Sequence, residues 1–140
     1  MPSTTRTFVA IEIPSALSEA LARLQTQLGP EVPDARWIGR GNFHVTLAFL
    51  GDVNDRDLDR LGRAVGEAVA PFEPFALRLE GLGAFPEPGR PRSFWAGLAG
   101  EALDRLKELQ RAVSQAVASV GYPPSDDRFS PHVTLARIKT

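Results

Sequence analysis

The sequence contains no cysteine. Disulfide scaffolds, thiolate metal centres and thiol nucleophiles are therefore excluded, and a cytoplasmic location is expected. Histidine is almost as scarce, with His44 and His132 the only two among 140 residues. Lysine is rare as well: of the 16 basic residues only Lys107 and Lys139 are lysines, and the rest are arginines. No apolar run approaches the ~18 residues that a membrane helix needs. The opening "MPSTTRTFVAIEI" lacks the basic-then-apolar order of a secretory signal. A net charge of −1 rules out a polycation that coats duplex nucleic acid. Phosphate-cradling loops are missing too, since "GRG" and "GLG" complete neither a G-x-G-x-x-G pattern nor a P-loop. There is no G-x-S-x-G nucleophile elbow.

What remains is a soluble chain long enough for one domain or two small lobes sharing a core. Its arginine bias has two readings. A guanidinium fork fits phosphate oxygens bidentately, and a GC-rich genome also favours arginine.

The hydrophobic periodicity alternates between strand and helix. "RTFVAIEI" (Arg6–Ile13) reads as a strand. A helix opens at Pro14-Ser15, places Leu17, Leu21, Leu24 and Leu28 on one face, and ends at Gly29-Pro30. "ARWI" (Ala35–Ile38) and "FHVTLAFL" (Phe43–Leu50) are strands, and Gly51–Asn54 is expected to turn and cap the next helix. That helix carries Leu58, Leu61, Val65 and Val69, and Pro71 stops it. Alternation from Phe75 to Phe85 predicts another strand. "PEPGRPR" (Pro86–Arg92) predicts a stiff loop with two arginines, and "SFWAGLAG" (Ser93–Gly100) a further strand. A helix then presents Leu103, Leu106, Leu109, Val113 and Val117, and "PHVTLARI" closes the series.

Strand, helix and an H-V-T-L strand thus occur twice, around the only two histidines. A chance recurrence of Val-Thr-Leu after the second histidine is roughly one in a few thousand at average residue usage. The repetition predicts two copies of one supersecondary unit related by a pseudo-two-fold axis. On each strand the histidine and threonine share one face, while valine and leucine share the other and are expected in the core. Facing copies would bring two imidazoles and two hydroxyls to one volume.

Imidazole changes charge near neutrality, so such a pair holds one proton donor and one acceptor. A phosphodiester between them needs no metal if hydrogen-bond donors steady its oxygens, and threonine and arginine supply donors. Two other readings stand beside this one. A duplicated gene copies structural histidines too. A zinc site would need a third ligand, and no cysteine or H-E-x-x-H spacing provides it.

With both motifs in view, the sequence resembles the 2H phosphoesterases, and among them the RNA 2′,3′-cyclic phosphodiesterases once called 2′-5′ RNA ligases. The resemblance runs through "FVAIEIPSAL", "ARWIGRGNFHVTLAFLGDV", "GLGAFPEPGRPRSFWAGL" and "RFSPHVTLARIK". It implies an α+β, bilobal fold of two antiparallel sheet lobes with outer helices and a central cleft, occupying residues 1–140. It implies metal- and cofactor-free hydrolysis of a terminal 2′,3′-cyclic phosphate to a 2′-phosphate, with RNA 3′ ends or small cyclic nucleotides as partners. Alternatives are another cyclic or 2′-5′-linked nucleotide as substrate, or a non-catalytic nucleotide- or RNA-end-binding module.

By the same resemblance His44 matches the proton donor, His132 the proton acceptor, and Thr46 and Thr134 the phosphate contacts. Phe49 and Arg137, at matching offsets beyond the histidines, correspond to substrate-binding positions. Strict alternation turns both away from the histidine face, which gives Phe49 a core role and leaves Arg137 in need of a bend. Against the first copy, the second ends early at Thr140. That predicts an uncovered sheet edge at the His132 strand.

Overall fold

The computed structural model describes residues 3–85, 92–124 and 129–138. Its elements follow the expected order: β1 (Thr4–Glu12), α1 (Ser15–Leu28), β2 (Ala35–Trp37), β3 (His44–Asn54), α2 (Leu58–Val69), β4 (Arg78–Phe85), β5 (Ser93–Ala99), α3 (Leu103–Ser119) and β6 (His132–Ile138). The strands form a two-stranded sheet, β1-β3, and a four-stranded sheet ordered β2-β6-β5-β4.

The chain divides into two compact units. The first holds residues 1–10, 46–77 and 99–130. Its sheet is β1-β3, and α2 packs with α3. Val53, Leu61 and Val117 form its buried centre, with Val9, Leu50, Leu58, Val65, Val120 and Tyr122 around them. The helical phases explain this packing, since Leu58, Leu61 and Val65 recur on one face of α2. The Tyr122 hydroxyl donates to Asp57 Oδ2 at 2.5 Å and accepts the Asn54 N–H at 3.2 Å, tying the end of β3 to the chain after α3.

The second unit holds residues 11–45, 78–98 and 131–140. Its core contains Leu21 of α1, Phe43, Val45, Ala96, Val133 and Leu135, with Ile11, Ile13, Leu24, Trp37, Ile38, Leu79 and Leu98 packed against them. β6 pairs antiparallel with both neighbours, with Trp37 opposite Ala136 on one side and Gly97 opposite His132 on the other. Gly97 allows the close approach of the third strand, because a Cβ there would lie 2.6 Å from the Glu80 carbonyl oxygen.

Several expectations are corrected. β3 does not turn at Gly51 but continues to Asn54, with Gly51 taking φ 73° inside the strand. The reason is that partners persist: the Asp55 N–H reaches the Ser3 carbonyl, and Asn54 is held by Tyr122. β4 begins at Arg78 rather than Phe75. The loop expected at 86–92 lies outside the described residues except for Arg92. The edge expected at the His132 strand is covered only in part, because β5 flanks β6 over His132–Arg137 while β2 pairs with it only over Ala136–Ile138.

The repeat is real in sheet pairing, since each copy's first and last strands are neighbours, β1 with β3 and β5 with β6. The helices do not keep to their own copies, however. The first copy's α1 packs in one core with Phe43 and Val45 of its own copy and with Val133 and Leu135 of the other, and the second copy's α3 packs with Val53 of the first. Neither copy buries its own helix alone. Among the described residues no helix is long and apolar enough to cross a membrane.

Candidate active site

The two H-V-T-L segments have matching burial. Val45, Leu47 and Ala48 are buried, as are Val133, Leu135 and Ala136. The histidines are half-buried in both strands, Thr46 is exposed, and Thr134 is half-buried. Period-two alternation therefore holds from histidine to leucine, with the apolar pair inward and the polar pair outward, as the sequence predicts. Phe43 and Val45, the neighbours of His44, lie in the same core cluster as Val133, the neighbour of His132. Both histidines belong to the second unit.

His44 is oriented by its own chain. A one-turn 3-10 helix at Arg40–Asn42 precedes it, and the Asn42 carbonyl lies 2.7 Å from His44 Nδ1. A carbonyl only accepts, so Nδ1 carries a hydrogen and Nε2 is the nitrogen suited to proton transfer.

His132 is placed by β5 and β4. Gly97 opposes His132, and Trp95 opposes Thr134, so all four share one sheet face. Phe85 meets the His132 ring edge-on at 5.4 Å, and Trp95 lies 6.1 Å from it. Phe85 and Trp95 in turn pack at 5.2 Å. Trp95 lies directly over Gly83, where any Cβ would collide with its ring. His132 thus stands beside a wall of two aromatic rings.

The alternation expected beyond leucine fails. On β5, Phe94 opposes Ala136 while the next residue, Trp95, opposes Thr134. Leu135 is therefore an extra residue, a β-bulge in β6. One inserted residue reverses the parity that follows, so Arg137 returns to the face of His132 and Thr134, exposed and opposite Ser93. The same consecutive burial of Leu47 and Ala48 precedes Phe49 on β3. Phe49 is not a core residue; it is 37% exposed, and the Arg6 guanidinium lies 5.3 Å from its ring centre.

The sequence reading missed Asn42, Phe85 and Trp95. Trp95 had a signal, since "SFWAGL" places a large aromatic within an apolar strand, but its facing depends on register. Among the described residues no three histidine, aspartate or glutamate side chains group as metal ligands.

The sequence profile of LigT like Phosphoesterase matches residues 11–95 and 97–140. This chain belongs to that family. It is 38% identical over 130 residues to the RNA 2′,3′-cyclic phosphodiesterase of Geobacillus stearothermophilus, covering 93% of this chain and 41% of that protein. It is 40% identical over 121 residues to the RNA 2′,3′-cyclic phosphodiesterase of Aeropyrum pernix, covering 85% of this chain and 66% of that one. The chain thus spans less than two thirds of either relative. The crystal structure of TT0787 from Thermus thermophilus superposes with a TM-score of 0.78 at 34% identity, covering 97% of this chain and 75% of that one. Escherichia coli LigT complexed with 3′-AMP superposes with a TM-score of 0.76 at 26% identity, covering 96% and 74%.

Proposed function

We propose that the chain hydrolyses the terminal 2′,3′-cyclic phosphate of RNA to a 2′-phosphate by two-histidine acid–base catalysis without a metal. The observation that carries this reading is the pair of H-V-T-L strands, whose apolar flanks share one core and whose histidines belong to one unit. The names of the Geobacillus and Aeropyrum relatives support the substrate.

In this mechanism neutral His132 accepts a proton from water as the water oxygen attacks phosphorus. Protonated His44 gives its Nε2 hydrogen to the departing 3′ oxygen, leaving the phosphate on the 2′ oxygen. Thr46, Thr134 and Arg137 donate hydrogen bonds to the phosphoryl oxygens as charge develops there. Phe49 and the Trp95–Phe85 wall supply apolar surfaces for the nucleotide. His44 holds its reactive nitrogen in place through Asn42.

A second reading, hydrolysis of a free cyclic or 2′-5′-linked nucleotide, draws support from the LigT complex with 3′-AMP, a mononucleotide. Parallel assays on a cyclic-phosphate oligoribonucleotide and on 2′,3′-cyclic AMP separate the two. A higher kcat/KM on the oligoribonucleotide is expected; preference for the mononucleotide overturns the RNA assignment. Binding of both with turnover of neither makes the chain a binding module.

A further inference from the structure

Each histidine strand is held at the same backbone position by a glutamine from a helix. In the second unit Gln25 Nε2 donates to the Leu135 carbonyl at 3.0 Å and to the Ile38 carbonyl at 2.9 Å. In the first unit Gln110 Nε2 donates to the Leu47 carbonyl at 3.2 Å and to Ser114 Oγ at 2.8 Å. Leu47 and Leu135 are the equivalent leucines of the two H-V-T-L motifs.

The correspondence extends to sequence. "LARLQ" (Leu21–Gln25) and "LKELQ" (Leu106–Gln110) share an L-x-x-L-Q pattern. Each glutamine follows a buried leucine, Leu21 or Leu106, by one helical turn and faces inward, and Gln110 is only 8% exposed. An amide at such a position is costly unless bonded, and an apolar residue would pack there without that constraint.

Satisfying a lone carbonyl does not explain Gln25. The Leu135 oxygen already accepts the Ile38 N–H at 2.9 Å. The glutamine instead ties β6 to the chain after β2 at the residue inserted by the bulge. That bulge sets which way Arg137 faces. On β3, Gln110 grips the leucine immediately before the point where burial passes through Ala48 and Phe49 turns outward.

We infer that Gln25 and Gln110 are positioning residues, Gln25 fixing the bulge that presents Arg137 and Gln110 fixing the equivalent turn that presents Phe49. The catalytic consequence rests on the reaction proposed above; the geometric one does not. Gln25→Met and Gln110→Met keep side-chain length and remove the donor.

The test combines their crystal structures with kinetics on a cyclic-phosphate oligoribonucleotide. Gln25→Met is expected to fold with a Tm lower by a few degrees and to turn Arg137 off the His132 face. Its kcat/KM should fall about tenfold, the order of one lost hydrogen bond, and Gln25→Met combined with Arg137→Ala should be no slower than Arg137→Ala alone. Gln110→Met should move Phe49 in the same way. Arg137 and Phe49 unmoved in the variant crystals, or losses that multiply in the double variant, overturn the inference. Failure of both variants to fold also overturns it, by making the glutamines structural. An inert wild-type chain counts against the proposed reaction instead, and the crystal structures still decide the positioning.

Discussion

The Asn42 carbonyl lies 2.7 Å from His44 Nδ1 and fixes the imidazole by that nitrogen. The His132 ring packs against Phe85 and Trp95. In the proposed reaction His44 gives a proton and His132 takes one.

The proposed reaction needs one imidazole protonated and the other neutral at the same time. A bell-shaped kcat/KM profile is expected. His44→Ala should remove the alkaline limb from whatever activity survives, and His132→Ala the acid limb, each with turnover lower by about 10²–10⁴-fold. Circular dichroism should report intact folds, since both side chains are only half-buried. Loss of the opposite limb in each variant would reverse the assignment.

Thr134 shares its face with His132 and opposes Trp95. Thr134→Val keeps the shape and deletes the hydroxyl. A hydrogen bond to a charged oxygen is worth about 1.5–3 kcal/mol, so kcat/KM should drop about 10- to 100-fold with Tm little changed. An unchanged kcat/KM removes Thr134 from the site.

How much of this was legible in the sequence depends on the range of the signal. Helical faces and the inward valine and leucine of each motif follow from local periodicity, and Leu21, Leu106, Val45 and Val133 are buried as expected. The bulge was not legible. Its extra residue is one of two consecutive apolar positions, Leu135-Ala136, and strict alternation cannot show which is inserted. Arg137 was therefore turned the wrong way, and Phe49 is exposed after the same consecutive burial at Leu47-Ala48. The packing of α3 on the first copy's strands was hidden for a different reason, because an amphipathic face does not name the sheet that covers it. The wall beside His132 depends on strand register, which brings Trp95 from a distant segment.

Gly97 lies opposite His132 and admits the Glu80 backbone. Gly97→Ala places a Cβ 2.6 Å from that carbonyl, and the strands must separate. A stability loss of about 1–3 kcal/mol is expected in urea unfolding. An unchanged midpoint would mean that the close approach is not required.

The Trp95 indole N–H is buried with no hydrogen-bond partner among the described residues. Trp95→Phe deletes that donor together with the indole's second ring, which lies over Gly83, so it should lower stability by less than Trp95→Ala does. Trp95→Ala removes the wall beside His132 and should cost about 3 kcal/mol, the low end of the range for a large aromatic. A loss in Trp95→Phe as large as that in Trp95→Ala would show that the indole's second ring, rather than aromatic bulk alone, holds the wall.

The most direct test incubates the purified chain with an oligoribonucleotide ending in 2′,3′-cyclic phosphate, in excess EDTA, and identifies the product end by ³¹P NMR. A 2′-phosphate formed at the EDTA-free rate is expected. A 3′-phosphate, or turnover abolished by EDTA and restored by a divalent metal, would contradict metal-free proton transfer from His44 to the 3′ oxygen.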